Sequence, residues 1–77
     1  MLTLYTKPGC PFCAKVLEEG AFLGITFDER SVGDPAVVEE LIERGGKAQT
    51  PFLIDGETGV SLYGSDQVIA YLHERFK

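Results

Sequence analysis

An α/β fold in the order βαβαββα, a four-stranded mixed sheet flanked by three helices, is what this 77-residue sequence predicts, and three observations carry it. Strand-like and helix-like runs alternate from Leu2 to Gly46, the pattern of a parallel crossover rather than of an all-α or all-β chain. Two short apolar runs, Phe52–Asp55 and Val60–Tyr63, then flank Gly56-Glu57-Thr58-Gly59, which marks a hairpin. The length leaves room for one core, so residues 1–77 are expected to form a single domain near the lower size limit for unaided folding.

Each element has its own local reason. Leu2-Thr3-Leu4-Tyr5-Thr6 alternates over strand length and is broken by Pro8-Gly9. From Pro11, a residue suited to a first helical turn, Phe12, Val16 and Gly20 recur at four-residue spacing, and Cys13, Val16, Leu17 and Ala21 form an apolar stripe. Ile25 to Val32 alternates as a second, more polar strand, expected near a sheet edge. Asp34-Pro35 reads as a cap and first-turn proline for a helix whose apolar face is Val37, Val38, Leu41 and Ile42, and Gly45-Gly46 ends it. After the hairpin, Gly64-Ser65-Asp66 opens a third helix with Val68, Ile69, Leu72 and Phe76 on its buried side. The helix between the first two strands makes them parallel, and the hairpin adds two antiparallel strands.

Composition narrows the function classes. With 44% hydrophobic and 25% charged residues the chain is of ordinary globular type, and its net charge of -5 argues against nucleic acid or an anionic membrane as partner. A strand begins at Leu2 and no apolar run approaches a membrane span, so a cytoplasmic protein is expected. His73, far along the last helix, is read as a surface residue without a role.

The two cysteines, Cys10 and Cys13, lie one helical turn apart between a strand and a helix. In that context Cys-x-x-Cys reads as a redox dithiol. A structural staple is the weaker reading, because a bridge across so short a loop barely restricts the unfolded chain. Two Cys and one His fall short of the four ligands of a structural zinc site, so no metal is expected within one chain, although a cluster shared between two chains stays open. At a helix start the Cys10 sulfur meets unpaired N–H groups and the positive end of the macrodipole, and Lys7 can add a charge, so Cys10 is expected to be the nucleophile. Cys13, one turn inside, is more shielded and suited to resolve a mixed disulfide on Cys10.

With these residues in hand, the chain resembles the glutaredoxins of the thioredoxin superfamily along nearly its whole length. The resemblance rests on Tyr5-Thr6-Lys7 ending the first strand, the Cys-Pro-aromatic-Cys motif from Cys10 to Cys13, Thr50-Pro51 before the third strand, and Gly64-Ser65-Asp66 before the last helix. It implies a thioredoxin fold with strand order 2-1-3-4 and strand 4 antiparallel to strand 3. It also implies a glutathione-disulfide oxidoreductase that reduces protein disulfides and protein–glutathione mixed disulfides, with glutathione as co-substrate, no tightly bound cofactor and a monomeric chain. The implied glutathione site joins Lys7 at the glycine carboxylate, Phe12 beside the sulfur, Thr50 before a cis Pro51 pairing with the cysteinyl backbone, and Ser65 and Asp66 at the γ-glutamyl end.

Departures from the family pattern are also visible. Phe12 stands where many glutaredoxins have Tyr, and the usual Thr-Val-Pro is here Gln49-Thr50-Pro51. The basic residue often found just before it falls on Ala48, which leaves Lys47 or Gln49 to take the glycine carboxylate. The segment from Pro51 to Leu72 also resembles the thiol-binding domain of glutathione transferases, whose helical second domain and electrophile pocket are not expected here. A redoxin reduced by a flavoprotein reductase, and an iron-sulfur carrier with a cluster between two chains, are the alternatives. Pro11 weighs against the second, since a stiff residue restricts the helix start.

Overall fold

The computed structural model describes residues 1–76. The strands are β1 (Leu2–Thr6), β2 (Asp28–Ser31), β3 (Phe52–Asp55) and β4 (Ser61–Tyr63), and the helices are α1 (Pro11–Phe22), α2 (Pro35–Gly45) and α3 (Ser65–Phe76). The sheet order is β2-β1-β3-β4, with β1 parallel to β2 and antiparallel to β3, and β4 antiparallel to β3. This is the thioredoxin-like architecture, with the strand order and directions expected.

Strand alternation sends neighbouring side chains to opposite faces, and the two faces bury two different cores. Leu2, Leu4 and Leu53 pack with Val16 of α1 and with Val68 and Leu72 of α3. On the other face Tyr5 and Phe52 pack with Val37 and Leu41 of α2. The helical stripes are narrower than the sequence pattern suggests. α1 buries only Cys13, Val16 and Gly20, while Ala21 is exposed, and Ile42 of α2 is also exposed. A helix lying on a sheet presents a single line of contacts at three- and four-residue steps, and residues beside that line face solvent.

Two strands are shorter than expected, each for a hydrogen-bonding reason. Ile25, Thr26 and Phe27 are not part of β2. Ile25 donates its N–H to Gly20 O (2.8 Å), which ties the segment to the end of α1. Phe27 packs on the α1–α3 core, its ring so close to Gly20 that a Cβ there would lie 2.3 Å from Cε2. Val60 uses its N–H on the Thr58 hydroxyl (3.3 Å) and gives β3 only its carbonyl, to Asp55 N–H (2.8 Å).

Polar ties cap the helices and fasten the elements to one another. Asp34 caps α2 by accepting from Ala36 N–H (2.9 Å), and Gly46, at φ 95°, closes it by donating to Ile42 O (2.7 Å). The buried Tyr5 hydroxyl donates to Glu40 and accepts from Arg44 (3.2 Å), and Arg30 also grips Glu40 (2.9 Å), so α2 is fastened to β1 and β2. Asp55, 1% exposed, accepts from Tyr71 and from Glu57 N–H and faces Arg75. The Tyr71 hydrogen bond holds its carboxyl below the usual carboxylate range against the opposing cost of burial, with the Glu57 and Thr58 N–H groups and Arg75 assisting.

Candidate active site around the cysteine pair

Cys10 is the N-cap of α1, with extended backbone (φ -82°, ψ 113°), and Pro11 begins the helix behind it. The preceding turn is closed by Cys10 N–H donating to Lys7 O (3.1 Å), and Gly9 sits at φ 72°, a left-handed conformation that favours glycine. An N-cap residue offers its side chain to the free N–H groups of the first turn, and here the acceptor is sulfur: Cys13 N–H donates to Cys10 Sγ at 3.3 Å. Cys10 is partly exposed and Cys13 is 2% exposed, both as free thiols.

The electrostatics separate the pair. Partial burial opposes ionisation of Cys10, but hydrogen bonds from the Cys13 thiol, the Cys13 and Phe12 N–H groups and the Thr50 hydroxyl outweigh it, so its thiol lies below the ordinary cysteine value. Burial pushes Cys13 up, and its hydrogen bond to Cys10 and the nearby Cys10 charge add to the rise. Because only the thiolate is alkylated, the rate-versus-pH curve of Cys10 is expected to be displaced to lower pH and that of Cys13 to higher pH. Thr50→Val removes a donor that favours the Cys10 thiolate and should move the Cys10 curve upward. A curve in that variant identical to the unaltered protein's would show that the hydroxyl has no such part.

Two other loops converge on this helix start. Pro51 is buried behind a cis Thr50–Pro51 bond, and Gly64 N–H donates to Pro51 O (3.1 Å), which joins the loop before β3 to the start of α3. Ser65 is buried and Asp66 exposed at the first turn of α3. A cleft of ≈ 460 Å³ lies between Lys7, Cys10, Phe12, Ala48, Gln49 and Thr50. A second, of ≈ 550 Å³, shares Phe12, Gln49 and Thr50 with it and continues past Pro51 to Ser65 and Asp66. Together they make one groove from Lys7 to Asp66, with Cys10 at the Lys7 end. Every residue of the expected glutathione site, namely Lys7, Phe12, Gln49, Thr50, Pro51, Ser65 and Asp66, lines it.

Four details come from the structure. Phe12 is 60% exposed and forms one wall of the groove. Lys47 lines neither cleft; its ammonium lies over the Tyr63 ring, 4.8 Å from the centroid, which leaves Gln49 as the nearer polar side chain. Tyr63, which the sequence marks only as a strand residue, also lines the groove. A third cleft, of ≈ 470 Å³, opens on the β2 side of the cysteines between Thr6, Leu17, Glu29 and Ser31, and Cys13 lines this one. Cys10 borders it too, so Cys10 stands between the Thr50 groove and the side where Cys13 lies. His73 is remote from the site, paired with Glu19 at 3.0 Å. Among the described residues no group of three metal-ligating side chains occurs, and no helix is long and apolar enough to cross a membrane.

The profile of the glutathione S-transferase N-terminal domain matches residues 4–77. The chain belongs to that family. The likeness to transferase thiol-binding domains thus extends well beyond Pro51–Leu72. The hybrid peroxiredoxin hyPrx5 of Haemophilus influenzae is 33% identical over 70 residues, which is 91% of this chain and 28% of that one. Among solved structures, a glutathione S-transferase from the Antarctic clam Laternula elliptica superposes with a TM-score of 0.81 at 28% identity, covering 97% of this chain and 35% of the transferase. The thioredoxin-like protein BC3987 superposes with a TM-score of 0.82 at 25% identity, covering 96% of this chain and 97% of that one. The chain therefore spans about a third or less of the hybrid peroxiredoxin and the transferase, and nearly all of the thioredoxin-like protein.

Proposed function

We propose that this glutathione S-transferase N-terminal domain acts as a glutathione-dependent thiol–disulfide oxidoreductase of glutaredoxin type. The observation that carries the proposal is that Cys10, the thiol favoured for ionisation, opens on a groove that runs from Lys7 to the first turn of α3. A transferase activates the thiol of glutathione itself and has no need of two protein thiols one turn apart. Their presence favours exchange chemistry.

In this reading the tripeptide lies along the groove. The backbone of Thr50 pairs with the cysteinyl unit as a short added strand. The N–H groups of Ser65 and Asp66 take the γ-glutamyl carboxylate and the Asp66 side chain takes its ammonium, while Lys7, assisted by Gln49, takes the glycine carboxylate. Phe12 flanks the sulfur. The Cys10 thiolate attacks the glutathionyl sulfur of a protein–glutathione disulfide; a Cys10–glutathione bond forms, the old S–S bond breaks, and the protein thiolate leaves and takes a proton. A second glutathione thiolate then attacks the same glutathionyl sulfur, which releases glutathione disulfide and restores Cys10. With a protein disulfide as substrate, Cys13 instead attacks Cys10 Sγ from the β2 side and expels the substrate thiolate. The resulting Cys10–Cys13 disulfide is reduced by two glutathiones.

A redoxin served by a flavoprotein reductase is the second reading, favoured by the similarity over nearly equal length to a thioredoxin-like protein. The two separate in a coupled assay on a glutathionylated peptide, in which NADPH consumption is followed with glutathione and glutathione reductase, or with thioredoxin reductase alone. Turnover with glutathione is expected. Turnover with the flavoprotein alone would favour the redoxin.

A further inference from the structure

Tyr63 ends β4 at the rim of the groove, and its hydroxyl is engaged twice by one residue of the opposite loop. It donates to Lys47 O at 2.7 Å and accepts from Lys47 N–H at 3.3 Å. Its ring stacks on Phe52 (centroids 4.3 Å apart, 27° between planes) and carries the Lys47 ammonium on its other approach. α2 is shaped to admit this contact: a Cβ on Gly45 would lie 2.0 Å from the Tyr63 hydroxyl. The next residue, Gly64, donates its N–H to Pro51 O at 3.1 Å. Tyr63 and Gly64 therefore join the segment Lys47–Pro51 to the segment Gly64–Asp66 at two points, one at each end of the first segment.

We infer that Tyr63 is a positioning residue that sets the width of the groove between Thr50 and Ser65. The inference rests on the proposed glutathione site. The thiol chemistry is fixed by the first turn of α1 and the Thr50 hydroxyl, and Tyr63 is not among the groups that shift either cysteine. What the Tyr63 hydroxyl controls is the path of exposed residues 47–49 leading into Thr50. A ligand that must reach the Thr50 backbone and the α3 N-terminus at once binds best when both are held at one separation, since the ordering cost is then already met in the free protein. A small thiol that touches only Cys10 gains nothing from that spacing.

Tyr63→Phe keeps the ring and its stack on Phe52 and removes both hydrogen bonds to Lys47. In steady-state turnover of a glutathionylated peptide it is expected to raise the KM for glutathione about tenfold, the scale of one or two lost hydrogen bonds, with kcat changed less than about twofold. The rate of iodoacetamide alkylation of Cys10 and its pH dependence should stay as in the unaltered protein. An unchanged KM for glutathione in Tyr63→Phe would overturn the inference, as would a parallel fall in alkylation and kcat, which marks a general loss of structure. If the unaltered protein shows no saturable use of glutathione, the proposed site and the inference both fail; saturation in both proteins at the same concentration removes only the inference.

Discussion

Cys10→Ser is expected to reduce turnover of both protein disulfides and glutathionylated peptides to the uncatalysed background, because a serine hydroxyl is neither ionised nor able to form the mixed disulfide. Cys13→Ser should divide the two activities. Deglutathionylation needs only Cys10 and should stay within about twofold of the unaltered protein, whereas reduction of protein disulfides loses the thiol that resolves the intermediate and should fall about tenfold or more. The geometry underlies the asymmetry. Cys10 is the cap, partly exposed and bordering the groove, while Cys13 is buried on the β2 side with a raised pKa. Full deglutathionylation by Cys10→Ser would remove Cys10 from the chemistry, and equal losses in both assays for Cys13→Ser would remove the one-thiol route.

The largest stability effect is expected from Leu53→Ala. Leu53 is fully buried on β3, a central strand, and belongs to the core shared by α1 and α3. Truncation there costs about 2–5 kcal/mol, against a total of roughly 4–12 kcal/mol for a chain of this length. Urea unfolding should therefore show a large drop in midpoint, with part of the population unfolded before denaturant is added. Ile42→Ala, at a position 46% exposed, should change stability by less than about 0.5 kcal/mol. Comparable losses for the two would contradict the division of the apolar residues into buried lines and exposed flanks.

That division is also where sequence legibility ends. Element order survives because it depends on signals within a few residues: Pro8-Gly9 after β1, Asp34-Pro35 before α2, and the glycines around the β3–β4 turn. The width of a buried stripe does not, since Ala21 and Ile42 look like core in periodicity and only the position of the sheet decides otherwise. The start of β2 was hidden for the same reason. Ile25 and Phe27 alternate like a strand, but their positions are taken by α1, through Gly20 O and the space left by its missing Cβ.

The site was legible to the extent that it is built from local motifs. Cys10, Thr50-Pro51 and Ser65-Asp66 each carry a turn or cap signal of their own, and the fold brings them to one groove. Tyr63 carried no such signal. A tyrosine at the end of a short strand reads only as a strand residue, and the partner of its hydroxyl, the backbone of Lys47, is sixteen residues away in sequence. Lys47 failed in the opposite sense: its charge suggested a carboxylate partner, and the structure gives the ammonium to an aromatic face instead.

The central claim is that the groove between Thr50 and Asp66 holds glutathione with its sulfur on Cys10. It is tested most directly by treating Cys13→Ser with glutathione disulfide, locating the adduct by mass spectrometry of peptides, and following backbone amide shifts by NMR before and after. One glutathionyl group on Cys10, with the main shift changes at Phe12, Gln49, Thr50, Ser65 and Asp66, is the predicted result. An adduct on Cys10 that leaves Thr50, Ser65 and Asp66 undisturbed would contradict it.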